Sequence, residues 1–120
     1  MSLTLTSRRD RGVTVVKPAG ELDAASAVHL RMLVLDLLAQ RRTVVIVDLA
    51  KVSFIDGVGC RTLVDARQRL SARGGELRLA RPTAAVARML RTTGLGRVLP
   101  PHETIAAAVR AIEQAEAFSR

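Results

Sequence analysis

The strongest constraint on the fold is the join between two adjacent runs, Thr43-Val44-Val45-Ile46-Val47-Asp48-Leu49 and Val52-Ser53-Phe54-Ile55-Asp56-Gly57-Val58-Gly59-Cys60-Arg61. The first run is rich in β-branched residues and does not alternate with polar ones, as expected of a strand buried on both faces of a parallel sheet. The second closes an apolar strand and opens a helix that the spacing predicts over Val58 to Arg73. Asp56 stands where a carboxylate caps a helix, accepting orphan backbone N–H groups and meeting the positive end of the dipole. Gly57 and Gly59 remove side chains where the backbone turns. A bare helix start at the end of a parallel strand is where open α/β proteins present ligand or partner sites.

The rest of the chain supplies a frame for that junction. Leu3-Thr4-Leu5-Thr6 alternates as a strand with one wet face, and Arg9-Asp10-Arg11-Gly12 reads as a turn. Val13-Thr14-Val15-Val16-Lys17-Pro18 is a second strand ended by Gly20; the short connection permits an antiparallel pairing without requiring it. Asp23 is the expected N-cap of a helix from about Ala25 to Gln40, with Val28, Met32, Leu35 and Leu38 among its apolar positions. A right-handed crossover through this helix to Thr43–Leu49 makes a βαβ unit and sets Asp23 and Asp56 on one sheet edge. In the second helix Cys60, Leu63, Val64, Arg67 and Leu70 share a spacing, leaving Arg61, Asp65, Gln68 and Arg69 for solvent.

Gly74-Gly75 stops that helix, and Glu76-Leu77-Arg78-Leu79-Ala80 alternates as a strand. Pro82 suits the first turn of a helix running to about Thr92, with Val86, Met89 and Leu90 apolar and Gly94 as its C′ residue. Val98-Leu99 is expected as a weak final strand before Pro100-Pro101, and Glu103 to Ala117 as a last helix with Ile105, Ala108, Val109 and Ile112 as its stripe. The expected architecture is a single α/β domain over residues 1–120, with a mixed sheet of about five strands and about four helices.

Composition narrows the function. The 120 residues are enough to bury one core without metal or disulfides, and the lone Cys60 allows no internal disulfide. The start, Met1-Ser2-Leu3-Thr4, has no signal-like apolar run, and no segment approaches the ~18 apolar residues of a membrane span, so a cytoplasmic protein is expected. A net charge of +8 raises the question of nucleic acid. The basic residues are scattered, paired locally only at Arg8-Arg9 and Arg41-Arg42, and Phe54 and Phe118 are the sole aromatic residues, so direct DNA binding is not expected. The arginine-rich surface fits better as one that speeds encounter with an acidic partner.

Enzyme chemistry finds little support. Asp23 and Asp56 raise the question of an acid–base pair, yet each precedes a helix and no nucleophile or metal set accompanies them, so capping accounts for both. His29 and His102 lack a third member for a hydrolase triad. Cys60, in a first helical turn, has the position of a reactive thiol, but its spacing to Leu63 and Val64 favours packing. Gly57 with Gly59 lacks both the third glycine of a dinucleotide fingerprint and the lysine of a P-loop. Ser26, Ser53 and Thr62 retain hydroxyls near the same edge, with nothing to select one. No catalytic residue, metal or cofactor is expected.

Taken in order and at these intervals, several pieces resemble the STAS domain, the fold of bacterial anti-sigma-factor antagonists. They are Gly20-Glu21-Leu22-Asp23, Val45-Ile46-Val47-Asp48-Leu49, Phe54-Ile55-Asp56, Gly74-Gly75-Glu76-Leu77 and Thr93-Gly94-Leu95. The resemblance implies a partner switch, in which the unmodified domain binds a kinase-type anti-sigma factor. Phosphorylation of a Ser or Thr at the start of the second helix then ends the binding by forcing a bulky dianion into the interface. The family motif there is commonly Asp-Ser-Ser/Thr-Gly-Leu-Gly. Here Gly57 replaces the first Ser, Val58 the phosphoacceptor, and Cys60-Arg61 the Leu-Gly. Valine has no hydroxyl, so the resemblance carries over an interface of Asp23, Asp56, Gly57, Val58, Gly59 and Arg61 but not a phosphorylation site at Val58. The expected function is an antagonist-like regulator that binds its partner without that switch. The alternative is a STAS subunit of a transporter or stress-signalling complex that docks another protein, and partner chemistry at Arg61, Asp65 and Arg69 separates the two readings.

Overall fold

In a computed structural model, which describes residues 3–118, the chain forms a six-stranded mixed sheet with five helices. Met1 and Ser2, part of the expected leaderless start, lie outside the described residues. β1 (Leu3–Asp10) and β2 (Val13–Leu22) pair antiparallel from Leu3 opposite Gly20 to Asp10 opposite Val13. The expected four-residue turn therefore contracts to Arg11-Gly12. Both take positive φ, 55° and 81°, matching the mirror-image turns that follow strand twist.

β2 does not stop at Gly20. It pairs in parallel with β3 (Val44–Asp48) through Val16, then with β4 (Lys51–Ile55) from Ala19 to Leu22, with a register shift between Gly20 and Glu21. Pro18, which has no N–H to give, falls in the gap between the two pairings. The run from Thr43 to Ile55 is thus two strands with a break at Leu49-Ala50. Asp48 makes the break, its Oδ1 accepting the Ala50 N–H at 3.1 Å. β3 continues to β5 (Glu76–Ala80), and β5 to the edge strand β6 (Pro101–His102), all in parallel, giving the order β1-β2-β3-β5-β6 with β4 on β2.

Helices α1 (Ala27–Ala39), α2 (Gly57–Ser71) and α3 (Ala84–Thr93) contribute to one large core that includes Leu30, Val34, Leu63, Leu70 and Leu90. Pro82 lies before α3, whose cap is Thr83, with Oγ1 accepting the Val86 N–H at 3.3 Å. Gly94 ends α3 with φ of 76°. The expected strand at Val98-Leu99 is not formed. Leaving Gly94 the chain makes another helical turn, α4 (Leu95–Val98), and only then the two-residue β6. The last helix, α5 (Ile105–Phe118), starts after the cap Thr104, which accepts the Ala107 N–H at 3.0 Å. Its Ala108 and Ile112 cover Val13, Val15, Ile46 and Ala80 on the opposite face of the sheet.

α1 departs most from expectation. Its buried side is Ala27, Leu30, Val34, Leu37 and Leu38, whereas Val28, Met32 and Leu35 face solvent, 49%, 58% and 39% exposed. Among the described residues no helix is long and apolar enough to cross a membrane.

Candidate functional site

The starts of α1 and α2 leave the sheet side by side because Leu22, the last residue of β2, lies opposite Ile55, the last of β4. Asp56 joins them. Its Oδ1 accepts the Gly59 N–H at 2.8 Å, capping α2, and its Oδ2 accepts the Ala24 N–H at 3.2 Å from the loop before α1. One carboxylate therefore satisfies orphan donors from both segments. Its own N–H donates to the Leu22 carbonyl at 3.3 Å.

Asp23 acts one turn earlier than a simple cap of α1. The residue flanking α1 is Ser26, which makes no side-chain cap bond. Asp23 Oδ1 instead accepts the N–H groups of Ala25 and Ser26, at 3.1 and 3.0 Å, and the Ser26 hydroxyl at 3.0 Å. Those Ser26 donors, backbone first, hold the Asp23 carboxyl below its ordinary range, because they bond the charged form. The buried Ser26 hydroxyl also lies 2.6 Å from the Glu21 carbonyl, to which it can donate. Both carboxylates are committed to backbone donors, which is the chemistry of structure rather than of proton transfer.

The two glycines differ. A Cβ on Gly59 would stand 2.3 Å from the Leu22 carbonyl oxygen and 2.8 Å from Ile55 Cγ1, so α2 can approach the sheet this closely only with glycine there. Gly57 meets nothing within 4 Å, and its lack of a side chain leaves the surface flat without serving packing. Val58 follows, 47% exposed in the first turn. The hydroxyls nearby are occupied locally: Thr62 donates to the Val58 carbonyl at 2.9 Å and Ser53 to the Gly20 carbonyl at 3.2 Å.

Cys60 is buried, and desolvation, with a smaller contribution from the Asp56 charge, pushes its thiol above the ordinary range despite a hydrogen bond with Thr93. A thiol held protonated in this way is a packing residue. Arg61 is exposed, while Asp65 and Arg69 pair with each other at 2.9 Å, so that of the three Arg61 is the cation left for a partner. His29 and His102 lie far apart in the chain and on different elements, α1 and β6.

A groove beside this edge was not foreseen. Gly57, Cys60, Arg61 and Val64 of α2 face Thr93, Gly94, Leu95 and Val98 across a mainly apolar cleft of about 360 Å³. Its signal in the sequence was Thr93-Gly94-Leu95, which forces the chain back toward α2, but only the formation of α4 turns that bend into a wall.

The STAS domain model matches residues 4–108, nearly the whole of this architecture. The chain belongs to the STAS domain family. Among STAS relatives it is 27% identical to an anti-sigma F factor antagonist of Paenibacillus polymyxa, over 94% of this chain and 97% of that one. An anti-sigma factor antagonist from Mycobacterium paratuberculosis is 26% identical, with a TM-score of 0.83 over 92% of this chain and 94% of that one. The Bacillus antagonist SpoIIAA in its unphosphorylated form has the same fold at 22% identity, with a TM-score of 0.77 over 92% and 97%.

Proposed function

We propose that this STAS domain is an anti-sigma-factor antagonist whose α2 start docks a kinase-type anti-sigma factor, and that phosphorylation at the α2 start does not end the docking. The observation that carries the reading is Val58: an apolar side chain, half-exposed, in the first turn of a helix whose position Asp56 fixes against both Gly59 and Ala24. An apolar residue on so rigid a start is suited to burial in an interface, and fixed geometry lowers the ordering cost of binding. Gly57 leaves room for a partner backbone, the apolar groove toward α4 continues the surface, and Arg61 offers a cation to an acidic partner. The likeness to antagonists of named function supports the same reading.

The test is binding of a purified kinase-type anti-sigma factor, with ATP, to the wild type and two variants. Val58→Asp should weaken binding by at least about tenfold, since it buries an unpaired charge. Val58→Ser should bind and then, on incubation with ATP, take up phosphate and release, while the wild type takes up none. Unchanged affinity of the aspartate variant would remove this helix start from the interface. Phosphate on the wild type would reinstate a switch at another hydroxyl. Failure of every form to bind would favour docking to a transporter or stress-complex subunit.

A further inference from the structure

The α5 side of the sheet carries a charge cluster that partner docking at α2 does not use. Thr6 pairs with Lys17, and Arg8 with Val15, across β1 and β2. Directly opposed residues of an antiparallel pair share a face, and Val15 is buried with Ile46, Ala108 and Ile112 on the α5 side. Thr6, Arg8 and Lys17 therefore lie on that face, as does Asp48, two residues beyond Ile46. Arg81 completes the group from outside the sheet. It leaves β5 with φ of 57°, a conformation uncommon for a residue with a side chain, and its N–H donates to the His102 carbonyl at 2.8 Å. Its Nη1 then reaches Asp48 Oδ2 at 3.4 Å. These residues, with Ile105, line a cleft of about 320 Å³, within the size range of small-ligand sites.

The charges in the cleft do not balance. Asp48 is buried, 4% exposed, and its two oxygens are taken by the Ala50 N–H and Arg81. Among the described residues Arg8 is held only by Asp10, at 3.5 Å in an exposed pair of the kind that contributes little. Lys17 forms no ion pair among the described residues. Three cations and one buried carboxylate thus line the cleft, with Thr6 beside them. We propose that this cleft binds a phosphate group, as inorganic phosphate or as the monoester of a small molecule. Arg8 and Arg81 would supply planar paired donors, which match phosphate oxygens, and Lys17 a point charge. Asp48 is a positioning residue that fixes the guanidinium of Arg81.

The test is an amide NMR titration of the full chain at neutral pH with sodium phosphate, with adenosine monophosphate, and with sodium chloride at matched ionic strength. Saturable shifts confined to Thr6–Arg8, Lys17, Asp48–Ala50 and Arg81 are expected with phosphate and not with chloride. Adenosine monophosphate binding tighter than phosphate would assign the site to organic monoesters, and equal binding to the phosphate group alone. Because Arg81→Gln strands a buried carboxylate and endangers the fold, the deciding variants are Arg8→Gln and Lys17→Gln, both outside the α2 edge. Each should weaken phosphate binding by about fivefold with the native spectrum otherwise kept. Equal shifts with chloride, or unchanged affinity in both variants, would overturn the proposal.

Discussion

The two faces of the sheet are covered unequally. On one, α1, α2 and α3 close a continuous apolar core in which Leu22, Leu30, Leu63, Leu70, Leu79 and Leu90 are almost wholly buried. On the other, α5 alone presses Ala108 and Ile112 onto four small or β-branched residues, and the sheet beyond it stays open around Lys17 and Arg81. The crowded face fixes the starts of α1 and α2 so tightly that a glycine is required at 59, and a surface so fixed can present Val58 without rearrangement. The sparse face leaves charged side chains accessible. Each face is suited to a different kind of contact, a packed macromolecular interface on one and a small polar ligand on the other.

Truncation in the two cores is the most forceful way to break that contrast. Leu63→Ala should cost about 4 kcal/mol, near the upper part of the range for buried leucine, because it is fully buried in the core that α1, α2 and α3 close over the sheet, which cannot all collapse into the void. Ile112→Ala should cost about 2 kcal/mol, since a single helix can settle onto the sheet. Urea unfolding of both variants measures the difference. An equal or reversed ranking would mean that α5 is as constrained as α2.

Next in size is Gly59→Ala. The added methyl meets the Leu22 carbonyl, backbone that cannot step aside, so α2 must lift at its start. A loss of about 2 kcal/mol is expected, together with weaker partner binding, whereas Gly57→Ala should change stability by less than about 0.5 kcal/mol. Asp56→Ala should cost about 1 kcal/mol, the usual loss of a cap, and should broaden the amide signals of Ala24 as well as Gly59, because one carboxylate serves both. Sharp, unshifted Ala24 signals in that variant would show that the two starts are not coupled.

Much of this arrangement was legible in the sequence, and the exceptions have physical causes. The order of strands and helices around Asp56 followed from periodicity and caps. The exposed side of α1 did not, because Leu30, Val34 and Leu37 repeat with the same spacing as Val28, Met32 and Leu35, and only the neighbouring strands decide which stripe is inward. The break between β3 and β4 was hidden in a nearly continuous apolar run, and depends on an Asp48 side chain turning back on Ala50. Gly57 and Gly59 look alike as letters, yet only one approaches backbone. Val98, a strand former, is caught in a helical turn after the left-handed Gly94, and Leu99 closes that turn with its N–H on the Leu95 carbonyl. Of the candidate site, the carboxylates and the α2 start were visible locally, while the α2–α4 groove and the Lys17–Asp48–Arg81 cluster join residues distant in the chain.

The smallest predicted effect tests the edge of the sparse face. His102 is partly buried on β6, and its Nε2 is shielded without a hydrogen-bond partner among the described residues. Desolvation first, and then the nearby Arg78 charge, push its pKa below the ordinary value of 6.5. The unfolded chain therefore takes up a proton at higher pH than the folded one. The corresponding stability is present above about pH 6.5 and is lost as pH falls from there through the lowered folded value. The urea midpoint of the wild type should fall between pH 7 and pH 5 by more than that of His102→Gln, a neutral residue with no such titration. Equal slopes would mean that the ring is free to take up its proton in the folded state, and that β6 is as open to solvent as the cleft beside it.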